Sequence, residues 1–431
     1  MLSHRMARSW ARAAPLILTL RIVGVRSACA LSRVAALLVI AKRLPPSQFA
    51  VVAVMGAIAE VAKVIIDAGV DIYSLREYGM DRAAVAARAV SVGCTKLVMM
   101  SFGTAALLLI LYCYAPDIDL SDAIAISLFP ALQLGLNFFL NLSLAGLSQR
   151  VVITAAACGY ACYFLFLVAA LLLPGDAARH SLTMLAAMEA MLLIIGLRWG
   201  LRQLEPLSRR AFSEVTSILR RALPVGVAAI IAIMYSRLDL MVLKLNVSQE
   251  VLGFYAFAAR LVDPFTQIIA GCVAAMGGHY ASLWAKGIDA FDAAALRLRL
   301  WVSGVAILIV LAMALSASTL LEWMFPAFVP ATNLVILFSL LLIPRIYNNA
   351  TTTLLIAAHR ERATPIISVV NLIILAVLLF MLAGRYGAPG VIVALLVTEC
   401  INSMIQTLVL RSACSSRRVD SSRTHQGAGS L

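Results

Sequence analysis

The chain has 431 residues, of which 62% are hydrophobic and only 13% charged, and its mean hydropathy is +0.96. Soluble domains hold about 45–50% apolar and about 25% charged residues, so a water-soluble fold is excluded and the apolar surplus must face lipid. The formal net charge of +14 raises nucleic acid as a partner, but no DNA- or RNA-binding motif accompanies it, and the basic residues sit between apolar runs, where membrane topology accounts for them.

A membrane span needs about 20 largely apolar residues. Runs of that size recur at 18–42, 48–71, 87–115, 122–147, 151–173, 181–200, 223–245, 251–277, 299–321, 331–357, 364–384 and 388–410. They lack the two-residue alternation of a barrel strand and exceed its length, so helices are expected. The predicted fold class is all-α: a polytopic membrane protein of about twelve transmembrane helices.

In chain order, residues 1–17 form a basic N-terminal segment that resembles the start of a signal peptide. No A-x-A-like site follows and the apolar pattern runs on into a full span, so an uncleaved first helix is expected, with Met1 or Met6 as the start. A first six-helix bundle is expected over 18–200 and a second over 223–410. The basic, amphipathic connector 201–222 divides them (Leu204, Leu207, Phe212, Val215, Ile218, Leu219). With six spans each, both halves enter the membrane from the same side, as parallel repeats do. An offset of 203 lays Ala50 on Gly253 and Glu60 on Asp263. Pro130 and Pro344 each begin a polar stretch, with Gln133, Asn137 and Asn141 in one and Tyr347, Asn348 and Asn349 in the other. The Ser-, Arg- and Gly-rich tail, 411–431, is predicted to be disordered.

Placing both termini in the cytoplasm puts most loop arginines there, including Arg5, Arg76, Arg150, Arg209, Arg220, Arg360 and Arg418, and leaves Lys42, Arg43, Arg179 and Arg385 outside. That asymmetry predicts a multi-pass plasma (inner) membrane protein with cytoplasmic termini.

An ionisable residue within a span costs at least about 2.5–3.5 kcal/mol and is expected to face the bundle interior. Glu60, Lys63, Asp67 and Asp71 step by three, four and four along the second span, a single stripe. Arg26 and Arg33 share a face of the first span, Arg237 and Lys244 a face of the seventh, and Arg260 and Asp263 a face of the eighth; Arg345 opens the tenth. One reading is structural: Glu60 with Lys63, and Arg260 with Asp263, neutralise each other within a helix, while Arg26, Lys63 and Asp71 snorkel to an interface. The other is a hydrated cavity. There Arg26, Arg33, Lys63, Arg237, Lys244, Arg260 and Arg345 are candidates to hold a phosphate or acidic sugar by charge-assisted hydrogen bonds. Glu60, Asp67, Asp239 and Asp263 are then candidates to take up protons or sodium.

The eight cysteines lie mostly inside apolar runs without metal-ligand spacing. No P-loop, GxSxG or HExxH motif is present. No cofactor, metal or catalytic residue is expected.

Several short segments carry a family likeness: Arg43-Leu44-x4-Phe49-Ala50, Asp67-Ala-Gly69, Leu223-Pro224, Arg237-Leu-Asp239 and Gly253-Phe-Tyr255-x2-Ala258-x-Arg260. In order and spacing these resemble the polysaccharide flippases, the O-antigen and exopolysaccharide exporters of the multidrug/oligosaccharidyl-lipid/polysaccharide superfamily. The family's Gly-x-Tyr after the phenylalanine is Ala50-Val51-Val52 here. The resemblance implies two six-helix bundles around a central cleft and alternating access. It implies as substrate an undecaprenyl-pyrophosphate-linked oligosaccharide, flipped for polysaccharide or lipopolysaccharide biosynthesis. Membrane lipids, a polysaccharide polymerase and glycosyltransferases are the partners to expect. Rival readings are a multidrug/cation antiporter or a peptidoglycan-precursor flippase of the same superfamily, a membrane glycan polymerase or ligase, and a non-transporting scaffold.

Overall fold

The computed structural model describes residues 38–74, 85–114, 120–144, 190, 193–194 and 214–428. Among them are seven helices long and apolar enough to cross a membrane, in an all-α fold as expected. The helices are α1 (Pro46–Asp67), α2 (Val85–Tyr114), α3 (Leu120–Leu144), α4 (Val215–Lys244), α5 (Gln249–Ala275), α6 (Gly277–Lys286), α7 (Ile288–Met324), α8 (Thr332–Leu340), α9 (Leu342–Ala357) and α10 (Ala363–Ala428). Most of the expected first span, the fifth and sixth spans and connector residues 201–213 lie outside the described residues. The helices fall into two compact units, Val39–Gly253 and one containing Phe254–Leu431.

In the unit Val39–Gly253, α1 opens at Pro46, whose missing N–H costs nothing in a first turn. It ends at Asp67 because Ala68 and Gly69 both turn left-handed, with φ of 47° and 84°. A short helical turn resumes at 70–74. The break docks on α4 at Gly226, two residues beyond Pro224. A Cβ on Gly69 would meet the carbonyl oxygen of Ala222 at 2.7 Å, and one on Gly226 would lie 3.0 Å from the Gly69 nitrogen. Two backbones therefore touch where only glycine fits, the close approach that small residues allow between membrane helices. Ile218 and Ala222 of α4 bury against Val70, Ala89, Val92 and Phe138 around the same contact.

This packing places the seventh span with helices of the first half. The boundary of the compact units falls at Gly253, not within the 201–222 connector. The end of that connector, from Val215 on, is the opening of α4 itself; its apolar face found a helical neighbour. The openings of α1 and α5, which correspond under the 203-residue offset, also meet: a Cβ on Gly253 would lie 3.0 Å from Pro46 Cα.

In the other unit, α7 buries Ala295, Leu298, Val302, Ala306, Val310, Met313, Ala317 and Leu321, one stripe at steps of three and four. Leu300, Leu308, Leu311 and Leu315 are exposed, and lipid is the solvent that accepts them. Trp301 and Trp323 are 60% and 81% exposed on the same helix. They are separated by about 33 Å at the helical rise, close to the thickness of the hydrocarbon core, where interfacial tryptophans mark its two edges. Phe257 of α5 stacks on Phe328 at 4.3 Å and meets Phe325 edge-on at 5.1 Å, closing the packing beside the 3-10 turn Pro326–Ala331.

α10 is two helical legs separated at Gly387 (φ 59°, ψ −139°). The disorder expected for 411–431 is corrected through Ala428, where the last span simply continues as helix. The Ser- and Arg-rich composition argued for disorder, but a helix that extends an existing one avoids the cost of nucleation. It also finds partners: Ala413 and Cys414 are buried, Arg418 pairs with Asp292 at 3.0 Å and Asp289 at 3.6 Å, and the Arg417 guanidinium lies 4.5 Å from the centre of the Trp284 ring.

Candidate functional site

Both units carry ionised side chains inside their spans, in different arrangements. In the unit Val39–Gly253 the centre is Lys96 of α2, a lone cation on an apolar stretch and only 4% exposed. Its ammonium bonds to Asp71, lies 3.6 Å from Asp67 and donates to the Leu134 carbonyl of α3 at 3.3 Å. Asn137 of α3 donates to Asp71 at 3.2 Å, and the Asp71 backbone N–H donates to Asp67 at 3.1 Å. The left-handed Ala68–Gly69 pair lets this happen: it folds the chain back so that two carboxylates flanking the break meet one amine. One turn before Lys96, Ser91 donates to Glu214 at the start of α4 at 2.7 Å.

Nearby on the same helices, Glu60 of α1 forms an ion pair with Arg237 of α4. This pairing joins two helices. Lys63 is half-buried and Asp239 buried. Lys244 is exposed in the last turn of α4, a place that suits an interfacial cation better than an interior one. Arg26 and Arg33 lie outside the described residues.

In the unit from Phe254 onward the charges form a ladder across three helices. Asp263 of α5 lies 4.0 Å from Arg260 on its own helix and 3.7 Å from Arg345 of α9. Arg345 turns its Nε to Glu399 of α10 at 3.5 Å. Glu399 accepts from Asn348 at 2.7 Å and from Asn402 at 3.4 Å. Beyond it, Ser403 donates to Asn348 at 2.7 Å, Gln406 to Asn402 at 2.9 Å and Thr352 to Gln406 at 3.2 Å. Tyr347 shares a hydrogen bond with Thr407 at 2.9 Å and accepts from Arg299 at 3.2 Å. On α10 the polar residues 399, 402, 403, 406 and 407 follow helical spacing, so one polar face of the last span meets one of α9.

Of the expected site residues, Glu60 and Arg237, and Arg260, Asp263 and Arg345, are thus brought together, while Asp67 finds the unanticipated Lys96. Lys96 and Glu399 stand without a second ionised residue three, four or seven positions away on their helices, and a stripe needs two. The cost of a single buried charge was the signal that marks them.

No protein-family model matches the chain, and no curated protein matches it by sequence. Solved structures do. An inward-facing multidrug resistance MATE family transporter of the MOP superfamily aligns with a TM-score of 0.75 over 90% of this chain and 95% of that one, at 13% identity. The lipid II flippase MurJ, in an inward closed conformation, aligns at 0.67 over 92% and 87%, also at 13% identity. A MOP superfamily transporter from Pyrococcus furiosus Vc1, described as having a binding pocket of reverse polarity, aligns at 0.60 over 93% and 95%, at 13% identity. The chain has the fold of the MOP superfamily transporters, a membrane fold that carries both multidrug transporters and a lipid flippase.

Proposed function

We propose that the protein is a flippase that moves an undecaprenyl-pyrophosphate-linked oligosaccharide across the plasma membrane for surface polysaccharide synthesis. The observation that carries this reading is the set of cationic side chains held inside the spans, with Arg237, Arg260 and Arg345 each beside a carboxylate. A polar headgroup cannot cross hydrocarbon unaided, and a guanidinium fork suits a phosphate better than any other side chain does. The fold it shares with a lipid II flippase supports the same direction. Asp67 and Asp71 both meet Lys96, which makes them the candidates for ion coupling, with Glu60 and Asp263 engaged by arginines instead. Both termini are taken as cytoplasmic, and a polymerase and glycosyltransferases would act on either side of the step.

Deleting the gene is expected to abolish the surface glycan and to accumulate lipid-linked repeat units on the cytoplasmic face. Arg237→Gln is expected to fail in complementation while still inserting in the membrane. A deletion that leaves the glycan intact and sensitises cells to cationic drugs would reject the proposal in favour of a multidrug antiporter, the reading that the MATE likeness favours.

A further inference from the structure

We propose that Asp263 is a built-in stand-in for the substrate's phosphate, occupying an anion site made by Arg260 and Arg345, and that a diphosphate headgroup binds by displacing it. This rests on the flippase reading above.

The geometry is that of a loosely held bridging anion. Asp263 gives one carboxylate oxygen to each arginine, Oδ2 to Arg260 Nη1 at 4.0 Å and Oδ1 to Arg345 Nη1 at 3.7 Å. Charge-assisted N–H···O bonds close to about 2.7–2.9 Å, so neither contact is fully made. The Asp263 carboxylate spans the two guanidinium groups at distances longer than closed charge-assisted bonds. A diphosphate carries more negative charge and more acceptor oxygens than a carboxylate.

The two arginines are not equally mobile. Arg345 is anchored from behind, its Nε on Glu399, and Glu399 is itself fixed by Asn348 and Asn402. The exposures follow the same division: Glu399 is 7% exposed, whereas Asp263 and Arg345 are each 22% exposed. The carboxylate that holds the arginine is sealed, and the one that occupies its other side is within reach of a ligand.

The backbone permits the exchange. Pro264 follows Asp263 inside α5. It offers no N–H to the Arg260 carbonyl, and its ring crowds that carbonyl. The turn bearing both Arg260 and Asp263 is therefore the least constrained of the helix. One turn further, Thr266 Oγ1 is buried and has no hydrogen-bond partner among the described residues, a hydroxyl donor on the same side as Asp263 by helical spacing. Withdrawing Asp263 takes one negative charge from beside Arg260 and Arg345, which favours an incoming anion there.

Asp263 on this account is an internal competitor, and its removal has an unusual sign. Full-length protein in lipid nanodiscs, as wild type, Asp263→Asn and Arg345→Gln, would be titrated by calorimetry with inorganic pyrophosphate and with geranylgeranyl diphosphate. The isosteric Asp263→Asn is expected to bind about tenfold more tightly than wild type, a coupling of ordinary size, and Arg345→Gln to lose binding. Tighter binding of both probes assigns the site to the diphosphate group. Tighter binding of geranylgeranyl diphosphate alone assigns it to the lipid-linked form. A merely structural Asp263 would weaken binding when changed. Asp263→Asn that binds no more tightly than wild type, whether both bind or neither does, overturns the proposal. Glycan export is read separately by the deletion strain, so a failed flippase reading and a failed displacement site give different results.

Discussion

The interior charges of the two compact units are organised on opposite principles. In the unit Val39–Gly253, two carboxylates flank a break in the backbone and meet the amine of Lys96, so the cluster is concentrated at a point. In the unit from Phe254 onward, Arg260, Asp263, Arg345 and Glu399 alternate in sign along helical faces, and Asn348, Asn402 and Gln406 extend the ladder with neutral hydrogen bonds. The first arrangement depends on one residue and on a strained turn. The second gives Asp263, Arg345 and Glu399 two or more partners each. Point-like and distributed networks respond differently to the loss of a member, and that difference is measurable.

The largest effect is expected from Lys96→Met. It takes the amine away from Asp67 and Asp71, and breaking a buried ion pair from one side costs about 3–5 kcal/mol. Purified protein in detergent should unfold at a markedly lower temperature than wild type. The triple change Lys96→Met, Asp67→Asn, Asp71→Asn should recover most of the loss, because it removes those carboxylate charges as well. A Lys96→Met protein as stable as its parent would mean the amine does not hold the cluster.

Gly69→Ala should come next. It places a Cβ at φ 84° and against the Gly226 backbone. The left-handed conformation costs a non-glycine residue roughly 1–2 kcal/mol, and overpacking adds about 1–3 kcal/mol unless the helices part. The change tests whether the break supports the charges. If it does, Gly69→Ala and Lys96→Met lose less together than the sum of their separate losses, because either one already dissolves the cluster.

Glu399→Gln sharpens the contrast from the other unit. The glutamine keeps the shape and an acceptor for Asn348, and Arg345 retains Asp263. What disappears is the charge-assisted part of one contact, about 1.5–3 kcal/mol, less than at Lys96 although Glu399 is as deeply buried. A loss equal to that of Lys96→Met would show that the ladder, too, hangs on a single member.

The helical class and most span edges were legible because lipid imposes a long apolar run that chance composition does not imitate. Charges were legible where two fell on one helix face, as with Arg260 and Asp263. What could not be read is which helix supplies the partner. Nothing in the spacing along α1 points to the pairing of Glu60 with Arg237 of α4. The stripe through Asp67 and Asp71 assumed a helix that stops at Ala68. The left-handed turn was written only as Ala-Gly, a dipeptide common in unbroken spans. The packing of the seventh span against the second is illegible for a related reason: it rests on the close approach of Gly69 and Gly226, which no local property announces.

The smallest effect is expected where the tail helix meets the chain outside the hydrocarbon core. Arg418 pairs with Asp289 and Asp292, but it is 53% exposed, and exposed pairs contribute about 0–1 kcal/mol. Arg418→Ala should therefore leave the melting temperature almost unchanged. The local readout is sharper: amide hydrogen exchange over 411–418 should quicken, since that pair helps hold this end of α10, with the Arg417–Trp284 contact and the burial of Ala413 and Cys414. Raising the salt to about 1 M shortens the screening length to about 3 Å, so wild type should approach the variant's exchange rate while the contacts of the buried Glu399 stay as they were. If high salt loosens both to the same degree, then the ladder around Glu399 is open to water, and the contrast between sealed and accessible charges in that unit would have to be redrawn.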